Sequence, residues 1–157
     1  MSDDFSGSPF AALFAELGGV LGIEGLAPEA DGVCRLVFNH NRLVELWLSP
    51  AQGRLLLTCR LAAPLAAGGE PARVLLRGSH LGAGLGGGWF GLDAHERPVL
   101  HAAFPLADAS GALLLTAIER LLDHADTWER RLDEQASQAA TQDTSALDRM
   151  TGFMNRI

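Results

Sequence analysis

Three short apolar runs restrict what this chain can fold into more than anything else in it. Val33 to Phe38, Leu43 to Leu48 and Arg54 to Arg60 are rich in strand-forming residues. They are separated only by Asn39-His40-Asn41 and by Pro50 to Gly53, both of which carry turn chemistry. A parallel crossover needs about a dozen residues or more, so links this short predict an antiparallel meander.

Side chains alternate across a strand, so the same residues predict two unequal faces. One face collects Cys34, Leu36, Phe38, Val44, Leu46, Leu48, Leu55, Leu57 and Cys59. It is wholly apolar, as a surface covered by helices must be. The other collects Val33, Arg35, Val37, Leu43, Glu45, Trp47, Leu56, Thr58 and Arg60. Its charges predict contact with water, yet leaving a large apolar side chain there forgoes about 1.5–3 kcal/mol of burial. Two readings stand side by side: a contact surface for another chain, or scattered surface hydrophobes of the ordinary kind. On the first reading Leu43, Trp47 and Leu56 are the partner-binding candidates.

Helices flank these strands. Ser8-Pro9 suits a helix start, and Phe10, Leu13, Phe14, Leu17 and Leu21 follow as one stripe ending near Gly22. Phe10 and Leu13 are weaker partner candidates, because that stripe also suits a core. Pro71 opens a short helix through Val74, Leu75 and Leu76 to Gly78. The glycine-rich stretch Gly82 to Gly88 leads to strand Trp89 to Leu92, and the turn at Asp93 to Arg97 returns the chain through Val99 to Phe104. From about Ser110 to Leu132, Leu114, Ile118, Leu121, Ala125, Trp128 and Leu132 keep the four-three spacing of a helix stripe. The predicted fold is therefore α/β (α+β): a twisted antiparallel sheet of about five strands packed by three helices. The domain spans 1–134. Residues 135–157 are expected to form a polar linker, Gln135 to Thr144, and a short tail. In the tail Ser145 and Asp148 suit a capping box, and Leu147, Met150, Met154 and Ile157 suit one helical side. Such a tail either docks on the body or a partner or frays, and its short length favours fraying.

Composition excludes several classes. The 157 residues are enough for one domain with a core, and 48% hydrophobic content excludes wholesale disorder. No apolar run reaches the ~18 residues of a membrane span, and the acidic start Met1-Ser2-Asp3-Asp4 is unlike a signal peptide. A soluble, cytoplasmic protein without membrane insertion is expected. Net charge is −7, and all 12 basic residues are arginine without a basic cluster, which argues against a nucleic-acid partner. Cys34 and Cys59 sit in apolar runs and read as buried free thiols.

Chemistry finds little support. Gly82-Ala83-Gly84-Leu85-Gly86-Gly87 has dinucleotide-loop spacing but follows a helix and enters a strand, the reverse of what places helix amides on a pyrophosphate. A connector, or a place of close backbone approach, explains it better. His40, His80, His95, His101 and His124 lack the i, i+4 pairing of a helical metal site. Asp123, Asp126 and Glu129 share a helix face with Arg130 and Arg131 nearby, as a solvated face does. There is no nucleophile elbow, and no catalytic, metal or cofactor residue is assigned.

Taken together, the chain resembles a class I type III secretion chaperone of the Tir-chaperone (CesT-like) family over about residues 9 to 132. Leu13 to Gly22 resembles the first helix of that family, and Cys34 to Phe38 with Leu43 to Leu48 its first hairpin. Leu75-Leu76-Arg77-Gly78-Ser79 is similar to its Leu-Leu-x-x-Asn helix end, with serine in place of asparagine. Gly91-Leu92-Asp93, Val99-Leu100 and Phe104-Pro105-Leu106 resemble its closing strand pair, and Trp128 falls where its last helix carries an aromatic. The resemblance implies a bacterial cytoplasmic homodimer that keeps a non-globular N-terminal segment of a secreted effector soluble and export-competent, without cofactor or catalysis. It also implies a dimer interface at Val74, Leu75, Trp89 and Phe90. Two rivals remain: a regulatory protein of the same fold sequestering an activator or anti-activator, and a small-ligand enzyme domain using the glycine stretch.

Overall fold

A computed structural model describes residues 8–39, 41–62, 65, 69–107 and 109–154, without the side chains of Pro9 and of 142–154. The acidic start at Met1 to Asp4, His40 and Ile157 lie outside the described residues, as do the side chains of Ser145, Leu147, Asp148, Met150 and Met154.

Helix α1 (Pro9–Leu21) precedes strands β1 (Val33–Phe38), β2 (Arg42–Ser49) and β3 (Arg54–Arg60). Helix α2 (Gly69–Ser79), strands β4 (Trp89–Leu92) and β5 (Pro98–Pro105) and helix α3 (Gly111–Met154) follow. All pairings are antiparallel in the order β1-β2-β3-β5-β4, so β1 and β4 are the two edges. The meander and the five-stranded, three-helix layout are those the spacing predicts.

The inner face forms the core with α1 and α3. Phe14, Leu17, Leu46, Leu55, Leu57, Leu114 and Ile118 are fully buried there. Phe10 and Leu13 belong to the same stripe and are only 4% exposed, which corrects their candidacy as partner contacts: both are committed to the core. Cys34 and Cys59 are free and buried. Burial pushes each thiol up to about 11, so both stay protonated and unreactive at neutral pH.

Two helix ends are made differently from the simplest reading. Gly22 closes α1 in the left-handed conformation, but Ser8 does not cap with its side chain. The first amide of α3, at Gly111, instead donates to the Glu16 carboxylate at 2.8 Å, tying α3 to α1.

The glycine stretch has a packing role. A Cβ at Gly78 would lie 2.2 Å from Cη2 of Trp128, and one at Gly84 would lie 3.1 Å from Cζ2. The Trp128 Nε1–H donates to the Gly84 carbonyl at 3.2 Å. The Phe90 ring meets the indole edge-on at 5.2 Å, and the Arg131 guanidinium lies 5.0 Å from its centre. Gly78 and Gly84 therefore cradle one tryptophan, while Gly82 and Gly88 allow close backbone approach to Gly87 and His101. Next to it, Ser79 Oγ donates to the Leu75 carbonyl at 3.0 Å and accepts from the Phe90 amide at 2.9 Å, linking α2 to β4.

The expected linker is not one. α3 runs unbroken through Gln135 to Thr144 to Met154, and from Asp133 to Thr141 its side chains are exposed. No glycine or proline interrupts the chain between Ala112 and Thr151. Ser137 and Thr141 satisfy their hydroxyls on the helix itself, donating to the carbonyls of Asp133 and Ser137 at 2.9 Å each.

Candidate functional site

The outer face of the sheet is the side that α1 and α3 leave uncovered. Its register lines up Val33, Trp47, Leu56 and Ala103 across β1, β2, β3 and β5. Val37 stands opposite Leu43 nearer the hairpin. Trp47 is 42% exposed and Val37 65% exposed, and Leu43 and Leu56 are half-buried. The three partner candidates Leu43, Trp47 and Leu56 are therefore brought together on one open face. Val33, expected to meet water, is fully buried. The segment before it folds back there, with the Glu29 amide on the Val33 carbonyl at 2.9 Å.

Between the two apolar groups runs a polar row. Arg35 donates to Glu29 at 2.8 Å, to Asp31 at 2.7 Å and to Glu45 at 3.3 Å. Thr58 Oγ1 donates to Glu45 at 3.4 Å, and Arg60 lies 3.9 Å from Glu45 and 3.7 Å from Asp93. The bond from Arg35 holds the Asp31 carboxyl below its ordinary value, while Asp31, with Glu29 and Glu45, raises the Arg35 guanidinium further. Asp93 is held low by the amides of Arg97 and His95. On β5, His101 stacks on Trp89 with ring centres 5.6 Å apart, and burial lowers its pKa. It is neutral at pH 7.

Nothing in this arrangement activates a nucleophile. Among the described residues no group of three His, Cys, Asp or Glu side chains is placed to hold a metal ion. Asp126 and Glu129, two of the three acidic residues on that helix face, are instead ion-paired with Arg42 at 2.6 Å each. No helix among the described residues is long and apolar enough to cross a membrane. What the face offers is apolar area beside ion-paired charge, which suits another polypeptide.

A second apolar surface surrounds the edge strand β4. Leu76, Leu81, Trp89 and Leu92 are exposed, Leu81 at 89% and with a φ of 54°. Of the four residues proposed for a dimer contact, Trp89 is exposed and Val74 half-buried. Leu75 is buried, and Phe90 is turned inward onto Trp128. Leu76, Leu81 and Leu92 escaped the sequence reading. Leu76 and Leu92 fall inside the predicted helix and strand without being singled out there, and Leu81 lies just beyond the predicted helix.

Comparison with known proteins places this geometry. A search of curated proteins returns no match. Among solved structures, a chain of the HopA1–SchA chaperone–effector complex superposes with a TM-score of 0.67 at 21% identity, covering 78% of this chain and 94% of that one. A chain of the ExsC–ExsE complex gives 0.66 at 28% identity, covering 76% and 90%. A chain of the complex between the Yersinia pestis type III secretion chaperone SycH and a stable fragment of YscM2 gives 0.63 at 22% identity, covering 76% and 98%. Residues 12–129 match the Tir chaperone protein (CesT) family across nearly the whole folded body. With the fold, the uncovered sheet face and that match in agreement, the chain belongs to the Tir chaperone protein (CesT) family, the type III secretion chaperones, which bind effectors and are not enzymes.

Proposed function

We propose that this chaperone holds an extended N-terminal segment of a secreted effector on the outer face of its sheet, keeping it soluble and export-competent in the bacterial cytoplasm. The carrying observation is Trp47, 42% exposed beside Leu56, with Leu43 across the polar row, on a face the helices leave open. An extended client can seat apolar anchors there and add a strand at a free sheet edge. A few anchors would supply most of the affinity, offset by the ordering of the client. The structures this chain resembles include complexes with HopA1, ExsE, ExoT and ExoU.

The working unit is a homodimer joined around β4. Leu76, Leu81, Trp89 and Leu92 form that contact, with Val74 at its margin and Leu75 and Phe90 supporting it from the core. Residues 1–134 are the chaperone body, and 135–157 extend α3 beyond it.

Trp47→Asp is the direct test. Effector capture should fall while the circular dichroism spectrum, melting temperature and dimer mass stay as in the parent. Unchanged capture would refute the surface, and loss of solubility would place Trp47 in the core. Mass spectrometry of what co-purifies from the native host identifies the client. A transcriptional activator or anti-activator there, with no exported protein, would transfer the assignment to the regulatory rival.

A further inference from the structure

The β1 edge is open over only part of its length, and the open part lies beside an imbalance of charge. Val33 spends both backbone groups on the preceding loop: its amide donates to Asp31 Oδ1 at 3.1 Å and its carbonyl accepts from the Glu29 amide at 2.9 Å. Val33 is thus turned away from β2, and by the alternation of an antiparallel pair Arg35 and Val37 are turned the same way. Among the described residues nothing pairs with their outward N–H and C=O groups. A strand laid on this edge would therefore start beside Arg35 and run past Val37.

The same loop that closes the edge at Val33 carries two carboxylates to its outer side. Glu29 and Asp31 are 61% and 50% exposed, and both close on Arg35, which also serves Glu45. Arg60, the other cation of the row, is shared between Glu45 and Asp93. Four carboxylates around two guanidiniums leave the row with a net negative charge, and its exposed end lies where a docked strand would begin.

We infer that this edge selects a client strand carrying a basic side chain two positions from an apolar one, with Glu29 and Asp31 receiving the basic group and Val37 and Leu43 the apolar one. Residues two apart in a strand share a face, so both side chains would lie over the outer surface. The apolar one would sit beside Val37, and the basic one would reach the two half-shared carboxylates. The inference rests on the client-holding reading above and adds a charge preference to it.

The test uses the full chain and three capped nine-residue peptides of alternating valine and threonine, with Lys, Gln or Glu at one valine position, read by fluorescence polarisation. The Lys peptide should bind on the order of tenfold tighter than the Glu peptide at low salt, and the gap should shrink in about 0.5 M NaCl. In Glu29→Gln/Asp31→Asn, which keeps the side-chain oxygen that caps the Val33 amide, the gap should close to about twofold or less, with Gln-peptide binding unchanged. Val37→Pro removes an outward edge donor and no sheet bond, so it should abolish binding of all three peptides with the fold retained by circular dichroism. Equal binding of the Lys and Glu peptides to the parent protein overturns the charge preference, even if Val37→Pro still abolishes binding and so upholds the edge. Failure of all three peptides to bind the parent, or full binding to a folded Val37→Pro, removes the edge as a docking site and the inference with it. The double variant changes only solvent-facing groups, so its result stands even if Val37→Pro does not fold.

Discussion

Gly78→Ala should destabilise this protein, although alanine is the better helix former. Gly78 lies inside α2, where alanine would ordinarily gain about 1 kcal/mol. Its new Cβ would lie 2.2 Å from Cη2 and 2.3 Å from Cζ2 of Trp128, against a normal carbon–carbon contact of ~3.5–4.0 Å. Something must move by more than an ångström, and the indole has little room. Its Nε1–H is bonded to the Gly84 carbonyl, Phe90 packs on it edge-on and Arg131 lies over it. Overpacking of this kind costs about 1–3 kcal/mol or more. The clash should therefore outweigh the helix gain, for a net loss of about 1–2 kcal/mol.

The decisive comparison is a double-mutant cycle. Trp128→Ala alone should cost about 3–5 kcal/mol, as expected for emptying a buried aromatic site. In that background the clash is gone, so Gly78→Ala should become neutral or stabilising by up to ~1 kcal/mol, for a coupling of about 1–3 kcal/mol. Urea unfolding followed by circular dichroism avoids reliance on tryptophan fluorescence. Every variant must be compared at one protein concentration, since a dimer's apparent stability depends on it. If Gly78→Ala is neutral in the parent, or equally harmful with and without Trp128, the account of Gly78 as part of a cradle for that ring is wrong.

Glu129 ties α3 to the sheet by accepting from both Arg42 Nη atoms at 2.6 and 2.7 Å and from the Ala62 amide at 2.5 Å. Glu129→Gln should cost about 1.5–3 kcal/mol in urea unfolding. The bond from Arg42 depresses the Glu129 pKa, so its stabilisation is complete above the ordinary glutamate value of 4.5 and is lost as pH falls below it through the folded value. The stability gap between parent and variant should narrow over that acid range, and a gap that stays constant down to pH 3 would contradict the assignment. Leu81→Gly removes an exposed leucine and relieves its left-handed backbone. It should leave the folded subunit as stable or slightly more so while weakening the dimer in analytical ultracentrifugation; an unchanged dimer constant would take Leu81 out of the interface.

How much of this was legible in the sequence depends on how far apart the interacting residues lie. The two sheet faces could be read because strand alternation is local, and Leu43, Trp47 and Leu56 come together as the alternation requires. Close backbone approach in the glycine stretch was legible, and Gly82 and Gly88 show it; the ring that Gly78 and Gly84 admit was not, because it lies on α3, with the bonded pair Gly84 and Trp128 44 positions apart. Val33 was placed correctly by parity, yet it is buried by a loop whose fold depends on the Glu29 amide meeting the Val33 carbonyl. The linker expectation failed for a different reason. Absence of an apolar stripe over Gln135 to Thr144 suggests absence of a helix there, whereas periodicity reports burial of a helix face and not helicity. Alanine, glutamine and glutamate, with no glycine or proline, suffice to carry α3 onward.

The polar row explains how a surface can be apolar enough to bind and still remain selective about what it binds. Covering the whole outer face with another folded domain would strip water from Arg35, Glu45 and Arg60, whose ion pairs are at the surface and contribute little in return. An extended segment avoids that cost, because it can lie along the Trp47–Leu56 line or pair with the β1 edge while the row stays hydrated. The inner face needs no such guard, since α1 and α3 occupy it permanently. One three-stranded meander thus builds a core on one side and, on the proposed reading, a peptide-sized strip on the other, where the charges favour an unfolded chain over a folded domain.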